Sequence, residues 1–185
     1  WAQRQGCMHA LILTGHLGEQ FEGIAHPGMA LTFHQEHEPL GTGGALWNAR
    51  ELLEERFILV WGDDLHPVEY SPLLKLHQSM DSPLTMTVTE AHSSMNLQHK
   101  DGQLIEYDKQ TKSSQTLNGY EAGTSVVEKS TLLKYGKEGK WSWEETVYPA
   151  LSGKAVTHLD NTKFWDMGTP ERLASLEEFL NKATL

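Results

Sequence analysis

The sequence predicts one α/β domain built around a mixed sheet, and three observations carry that reading. In the first half, apolar strand-like runs alternate with helical patterns, the order that builds parallel strands joined by crossovers. In the second half shorter strand patterns follow one another, with an Asp101-Gly102 hairpin signal between two of them. The 185 residues contain no internal repeat and no linker, and that length suits a single hydrophobic core.

Each element has a local reason. Met8 to Thr14 is a near-continuous apolar run, the pattern of a strand covered on both faces. Gly15-His16-Leu17-Gly18 breaks it, and Glu19 to Ile24 reads as a short helix. Met29 to His34 is a second strand that enters a glycine-rich turn. From Gly43, residues Ala45, Leu46, Ala49, Leu52 and Leu53 recur at helical spacing, with Arg50, Glu51, Glu54 and Glu55 facing outward. Phe57 to Trp61 is a third buried strand, and Ser71-Pro72 starts a helix with a capping hydroxyl and a first-turn proline. Leu84 to Thr89 alternates with period two, which predicts one buried and one polar face. Gln103 to Tyr107 follows the hairpin turn, and Thr124 to Val127 is another short strand. Trp143 to Leu151 reads as a helix despite Pro149. Ala155 to Leu159 and Lys163 to Trp165 are short strands, and Thr169-Pro170-Glu171 opens a closing helix with Leu173, Leu176, Phe179 and Leu180 on its apolar face.

Composition excludes several function classes. A net charge of −10 argues against binding a nucleic-acid backbone, while leaving small phosphorylated ligands open. The single cysteine, Cys7, rules out an internal disulfide and sits in an apolar run, which reads as a buried, inert thiol. No signal peptide is evident, and no apolar run approaches the ~20 residues of a membrane span. The expected location is therefore cytoplasmic.

Two stretches carry chemistry. Glu36-His37-Glu38-Pro39-Leu40-Gly41-Thr42-Gly43-Gly44 joins a strand to a helix through three glycines. It is neither a Walker A loop nor a dinucleotide fingerprint. Two readings stay open: a sharp turn without a ligand, or a backbone that approaches a base or phosphate closely because no Cβ intervenes. Thr42, a hydroxyl beside backbone amides at a helix start, favours the second. Gly62-Asp63-Asp64 follows a buried strand, and Trp165-Asp166 repeats that arrangement late in the chain. Asp63 and Asp166 are either turn acids or a converging pair that holds one Mg²⁺ and, through it, phosphate oxygens. Lys109 follows a strand end and suits a phosphate or plain solvent; Glu121 precedes a strand and suits sugar hydroxyls or an exposed turn. The ten histidines form no HExxH, and His34 and His37 are weak metal candidates beside the glycine turn.

In order, these pieces resemble the sugar-1-phosphate nucleotidyltransferases. The matching elements are Glu36-x-x-Pro-Leu-Gly-Thr-Gly-Gly-Ala, Gly62-Asp63, Tyr107-Asp108-Lys109, Tyr120-Glu121-Ala122-Gly123 and Trp165-Asp166-Met167-Gly168-Thr169-Pro170. They are most similar to the branch of heptose- and mannose-1-phosphate guanylyltransferases. The resemblance implies a Rossmann-like domain with a mixed central sheet flanked by helices. It implies nucleotide contacts from Glu36, Leu40, Gly41 and Thr42, and sugar-phosphate contacts from Lys109, Glu121 and Gly123. Asp63 and Asp166 would be the catalytic pair, as Mg²⁺ ligands. The implied reaction is attack of a sugar 1-phosphate on the α-phosphate of a nucleoside triphosphate, with release of pyrophosphate, in surface polysaccharide synthesis.

The chain departs from the family pattern at three points. Glu121 stands where Asn or Asp is usual, and Met167 where Ile is usual. The family's N-terminal phosphate loop, with its arginine and Pro-Lys pair, would precede Trp1. Residues 1–185 are thus expected to be the nucleotidyltransferase domain without that loop, inactive on their own. A non-catalytic nucleotide-sugar-binding module is the alternative. A homo-oligomer is also considered, with Trp141 and Trp143 either at an interface or in a satellite core.

Overall fold

The computed structural model of the chain describes residues 1–110 and 115–182. Its centre is a six-stranded mixed sheet. Strands β1 (His9–Thr14) and β2 (Ala30–Gln35) precede helix α1 (Gly41–Asn48), β3 (Arg56–Val60) and β4 (Asp64–Leu65). Helix α2 (Tyr70–Ser79) leads to β5 (Leu84–Thr89), β6 (Leu97–Lys100), β7 (Gln103–Tyr107) and β8 (Tyr120–Glu128). Helices α3 (Lys129–Tyr135) and α4 (Trp143–Ala150), strands β9 (Val156–Leu159) and β10 (Trp165–Asp166), and helix α5 (Pro170–Lys182) complete the order. The main sheet runs β3-β8-β5-β9-β7-β6, with β9 parallel to β5 and its other pairings antiparallel. The α/β class with a mixed central sheet is as the sequence predicts.

The core gathers Leu84, Met86 and Val88 of β5 in one buried cluster with Leu104 and Tyr107 of β7 and with Trp143, Val147, Tyr148 and Leu151 in and just after α4. Strand β5 corrects the sequence reading, because all six of its residues are buried, its threonines included. The polar face is covered and its hydroxyls are used. His77 Nδ1 of α2 lies 2.9 Å from Thr85 Oγ1, Thr87 donates to the Thr124 carbonyl at 2.9 Å, and Thr89 donates to Asn161 at 3.3 Å. The partner strand β8 is also longer than the predicted Thr124 to Val127. It runs nine residues through the middle of the sheet.

The predicted two-sided cover of β1 is not found. Among the described residues β1 pairs only with β2, in parallel. It is half-buried, Met8 before it is exposed, and Cys7 is partly buried, with burial raising its thiol pKa. Helix α2 begins at Tyr70, with Glu69 as N-cap, and Ser71 makes no cap bond. Gln5 does that work instead, its side-chain oxygen accepting from Tyr70 N at 3.3 Å. The segment 19–24 forms a single 3-10 turn at Gly18–Phe21, and α1 ends at Asn48 before a second such turn, which leaves Leu52 exposed. The hairpin is as predicted: Asp101 and Gly102 both take positive φ, 51° and 77°, between β6 and β7. In α5 only part of the predicted face is used, with Leu176 buried, Phe179 stacked on Trp165, and Leu173 and Leu180 exposed. Trp141 and Trp143 are both buried in the main core, so neither offers an interface.

Candidate active site

The glycines lie inside α1, where protein packs against them. Gly41 starts the helix at φ 71°, and a Cβ there would come within 2.7 Å of the Trp141 carbonyl oxygen. A Cβ on Gly43 would lie 2.1 Å from the Trp141 ring, and one on Gly44 would lie 2.4 Å from the Gly139 carbonyl oxygen. The segment before α4 is clamped onto this turn: Gly43 N and Gly44 N donate to the Trp141 carbonyl at 3.1 and 3.3 Å, and Trp141 N donates to Leu40 at 2.9 Å. The sequence left open whether these glycines make a sharp turn or approach a ligand. The structure spends Gly43 and Gly44 on this clamp.

Thr42 is likewise engaged. Its hydroxyl donates to Glu144 Oε2 and accepts from Trp143 N at 2.9 Å. The same carboxylate accepts from Lys109 Nζ at 2.8 Å and from Ser142 Oγ at 3.1 Å. Burial pushes the Glu144 carboxyl up, but the Lys109 and Thr42 hydrogen bonds outweigh it and hold the pKa below its ordinary value. Lys109 also lines an open cleft of about 270 Å³ with Tyr107, Asp108, Gln110, Glu145 and Pro149. Glu36 faces a smaller cleft of about 70 Å³, shared with Thr14, Gly15, His34 and Asn48. Its Oε2 accepts from Leu40 N at 3.2 Å, tying the end of the β2 segment to the start of α1.

The acids after β3 meet those of β10 through a short antiparallel pairing. Asp64 stands opposite Asp166, and Met167 N donates to the Asp63 carbonyl at 2.7 Å. Burial first, then the charges of Asp63 and Asp166, push the Asp64 carboxyl up to about 7. Asp63 is exposed. Asp166 accepts from Gly168 N at 2.6 Å and pairs with Arg172 of α5, at 2.5 Å. The set is rich in hard oxygen donors whose repulsion Arg172 relieves only at Asp166, chemistry that suits a divalent cation. Even so, among the described residues no group of three His, Cys, Asp or Glu side chains is arranged to hold a metal. His34 Nε2 lies 3.1 Å from Asn48 Nδ2.

Glu121 lies on the acidic side of the site. It is 6% exposed, and its two oxygens accept from Trp61 Nε1 at 3.1 Å and Gly123 N at 3.0 Å. Burial drives its carboxyl up to about 8, with Asp64 adding to the rise. Gly123 has φ 77°, and a Cβ on it would fall 2.5 Å from Asp64 Oδ2. Thus Thr42 and Lys109 share one carboxylate, while Glu121, Gly123, Asp64 and Asp166 form a second connected group. Glu121 is sealed rather than exposed at a turn, because Trp61 and Gly123 cover it. Sequence reasoning missed Glu144, Asp64, Arg172 and Trp61. Asp64 lay within the Gly62-Asp63-Asp64 stretch, and Glu144 lay beside the Ser142-x-x-Glu145 cap, in which Ser142 accepts from Glu145 N at 3.3 Å.

No family model matches the chain. A D-glycero-α-D-manno-heptose 1-phosphate guanylyltransferase of Aneurinibacillus thermoaerophilus is 27% identical, over 92% of this chain and 77% of that one. A mannose-1-phosphate guanylyltransferase of Mycobacterium tuberculosis is also 27% identical, over 90% of this chain but only 50% of that one. Among solved structures, HddC from Yersinia pseudotuberculosis complexed with GMP-PN is similar at a TM-score of 0.78 and 23% identity, over 96% of this chain and 81% of that chain. A UDP-glucose pyrophosphorylase complexed with UDP-glucose matches at 0.74 and 15% identity, over 98% and 84%. At those identities the two structures establish the fold. No helix among the described residues is long and apolar enough to cross a membrane. With the motif order carried on this sheet, the chain is similar in sequence to sugar-1-phosphate guanylyltransferases over 92% and 90% of its length.

Proposed function

We propose that this protein transfers GMP from GTP to a heptose or mannose 1-phosphate, giving a GDP-sugar and pyrophosphate for surface polysaccharide synthesis. The observation that carries the reading is the β4–β10 pairing, which sets Asp64 opposite Asp166 with Asp63 beside them. It is supported by the two guanylyltransferase relatives and by the GMP-PN complex of HddC. The same support does not favour a non-catalytic binding module.

The substrate phosphate is already a nucleophile, so the protein's task is to position two anions and balance their charge. Glu36, Leu40, Gly41 and Thr42 border the nucleobase: Glu36 closes a small cleft with a carboxylate suited to accept from base N–H groups. Lys109 presents its ammonium to the sugar phosphate, and Glu121 and Gly123 form the floor beneath the sugar. Glu121, kept protonated near neutrality by burial, adds no charge against an anionic substrate. A Mg²⁺ ion held by Asp63 and Asp166 would neutralise phosphate charge when bound. The cytoplasm, where nucleoside triphosphates are abundant, is the compartment this reading assigns.

The experiment is pyrophosphate release by the full-length gene product with Mg²⁺. It pairs each nucleoside triphosphate with mannose, heptose and glucose 1-phosphates. Turnover is expected with GTP and one of the first two. Asp63→Ala should lower turnover at least a hundredfold, about the scale of losing a metal-held charge. Near-normal activity in that variant would refute the metal assignment.

A further inference from the structure

Glu144 has no role in the chemistry so far, yet it touches more of the site than any residue given one. Its carboxylate sits in the first turn of α4 and accepts from three elements at once. These are Thr42 in the first turn of α1, Lys109 after β7, and Ser142 at the N-cap of its own helix. A first-turn acid that merely answers a helix dipole is normally solvated. This side chain is only 12% exposed, and its pKa is held down by the Lys109 and Thr42 bonds against the pull of burial.

The two oxygens divide the work. Oε1 takes Lys109 Nζ, and Oε2 takes the hydroxyls of Thr42 and Ser142. Thr42 is fixed a second time by Trp143 N, the residue next to Glu144. The start of α1 and the Lys109 ammonium are therefore set relative to each other by a single carboxylate. An ammonium has three donors; one is spent on Glu144, which leaves two for an incoming phosphate.

We propose that Glu144 is a positioning residue for the transfer reaction: it fixes Lys109 and the Thr42 turn in one register, so that the sugar-phosphate and nucleotide sides of the site are aligned before substrate arrives. The inference rests on the nucleotidyltransferase reading above, in which those two groups serve the two substrates. The group is chemically suited to the task, because an ionised carboxylate accepts at both oxygens. An amide of the same shape accepts at only one and presents N–H₂ at the other. Glu144→Gln therefore keeps the volume and one arm while it breaks the other.

The test is steady-state kinetics on the full-length gene product as wild type, Glu144→Gln, Lys109→Ala and the double variant, with thermal midpoints for each. Glu144→Gln should raise KM for the sugar 1-phosphate about tenfold, the scale of one charge-assisted hydrogen bond, with a smaller rise for the nucleotide. On the Lys109→Ala background the same change should leave the sugar-phosphate KM within about twofold, because the arm it breaks is already gone. A purely structural role would instead lower the midpoint and impair both backgrounds equally. Full additivity, or an unchanged KM in Glu144→Gln, overturns the proposal while leaving the nucleotidyltransferase reading intact. A wild-type enzyme that turns over no pair of substrates overturns both.

Discussion

Gly43→Ala separates two reasons for a glycine. The residue lies in α1 without positive φ, so on backbone grounds alanine should be the better helix former by about 1 kcal/mol. Packing argues the opposite. The added Cβ would lie 2.1, 2.2 and 2.5 Å from three atoms of the Trp141 indole, against an ordinary contact of 3.4 Å or more. The ring must withdraw by more than 1 Å. It is buried, its Nε1 donates to the Lys137 carbonyl at 2.9 Å, and its backbone is bonded to Leu40, Gly43 and Gly44. A side chain pinned at both ends yields little, so the upper end of the usual overpacking cost, about 3 kcal/mol, applies. Offset by helix propensity, the net loss is about 2 kcal/mol, or a fall in melting midpoint of about 4–8 °C for a domain of this size. Denaturant and thermal unfolding measure it directly. Introduced alongside Trp141→Leu, which opens space beside the new methyl, the same substitution should become neutral or stabilising. If Gly43→Ala keeps wild-type stability but loses nucleotide affinity, the glycine is reserved for a ligand and the packing argument is refuted.

Two further outcomes follow from buried polar groups. Glu121 titrates near 8 when folded and near 4.5 when unfolded, so the folded chain holds the extra proton between those values. Its contribution to stability is greatest below pH 4.5 and declines as pH rises toward 8, by up to about 1.4 kcal/mol per pH unit; Glu121→Gln should remove that decline in unfolding measured from pH 5 to 8, and an unchanged profile would refute it. His77 joins α2 to β5 and β8 through Thr85 and Glu128, each 2.9 Å away, so His77→Phe strands a fully buried hydroxyl and should cost about 1–3 kcal/mol in chemical denaturation. Adding Thr85→Val should recover most of that loss, since replacing both partners by apolar groups is nearly neutral.

What the sequence revealed depended on whether the cause was local. The Asp101-Gly102 turn is readable because its two positive φ values belong to those residues alone. Helix α4 is readable because its apolar spacing is internal, and Pro149 sits in its last turn rather than its middle. The threonines of β5 misled because their cover comes from α2, Thr124 and Asn161, elements that no pattern within Leu84 to Thr89 can report. The cap of α2 misled for the same reason, since Gln5 supplies it from 65 residues away. In the site, Asp63 and Asp166 could be found as strand-end acids. That Asp64 is the one facing Asp166 depends on the β4–β10 register, and that Arg172 pairs with Asp166 depends on where α5 packs.

The charge pattern of the proposed site sets what substrate binding must do. Both proposed substrates are anions, yet the groups around them are largely acidic: Glu36, Asp63, Asp64, Glu121, Glu144 and Asp166. Two of these limit the conflict by holding their protons toward neutrality, Glu121 near 8 and Asp64 near 7, each chiefly through burial. The cations at the site, Lys109 and Arg172, are each already paired with a carboxylate, Glu144 and Asp166. A phosphate that approaches therefore meets positive charge that is aimed but partly neutralised. Binding must either loosen those pairs or bring in further positive charge. In the first case affinity should depend on Glu144, which sets where the Lys109 ammonium is held. In the second it should depend on the Asp63 and Asp166 carboxylates, which suit a hard divalent ion. The two dependences rest on carboxylates that share no hydrogen-bond partner, so the Glu144 and Asp63 variants should impair catalysis independently, with effects that add in free energy.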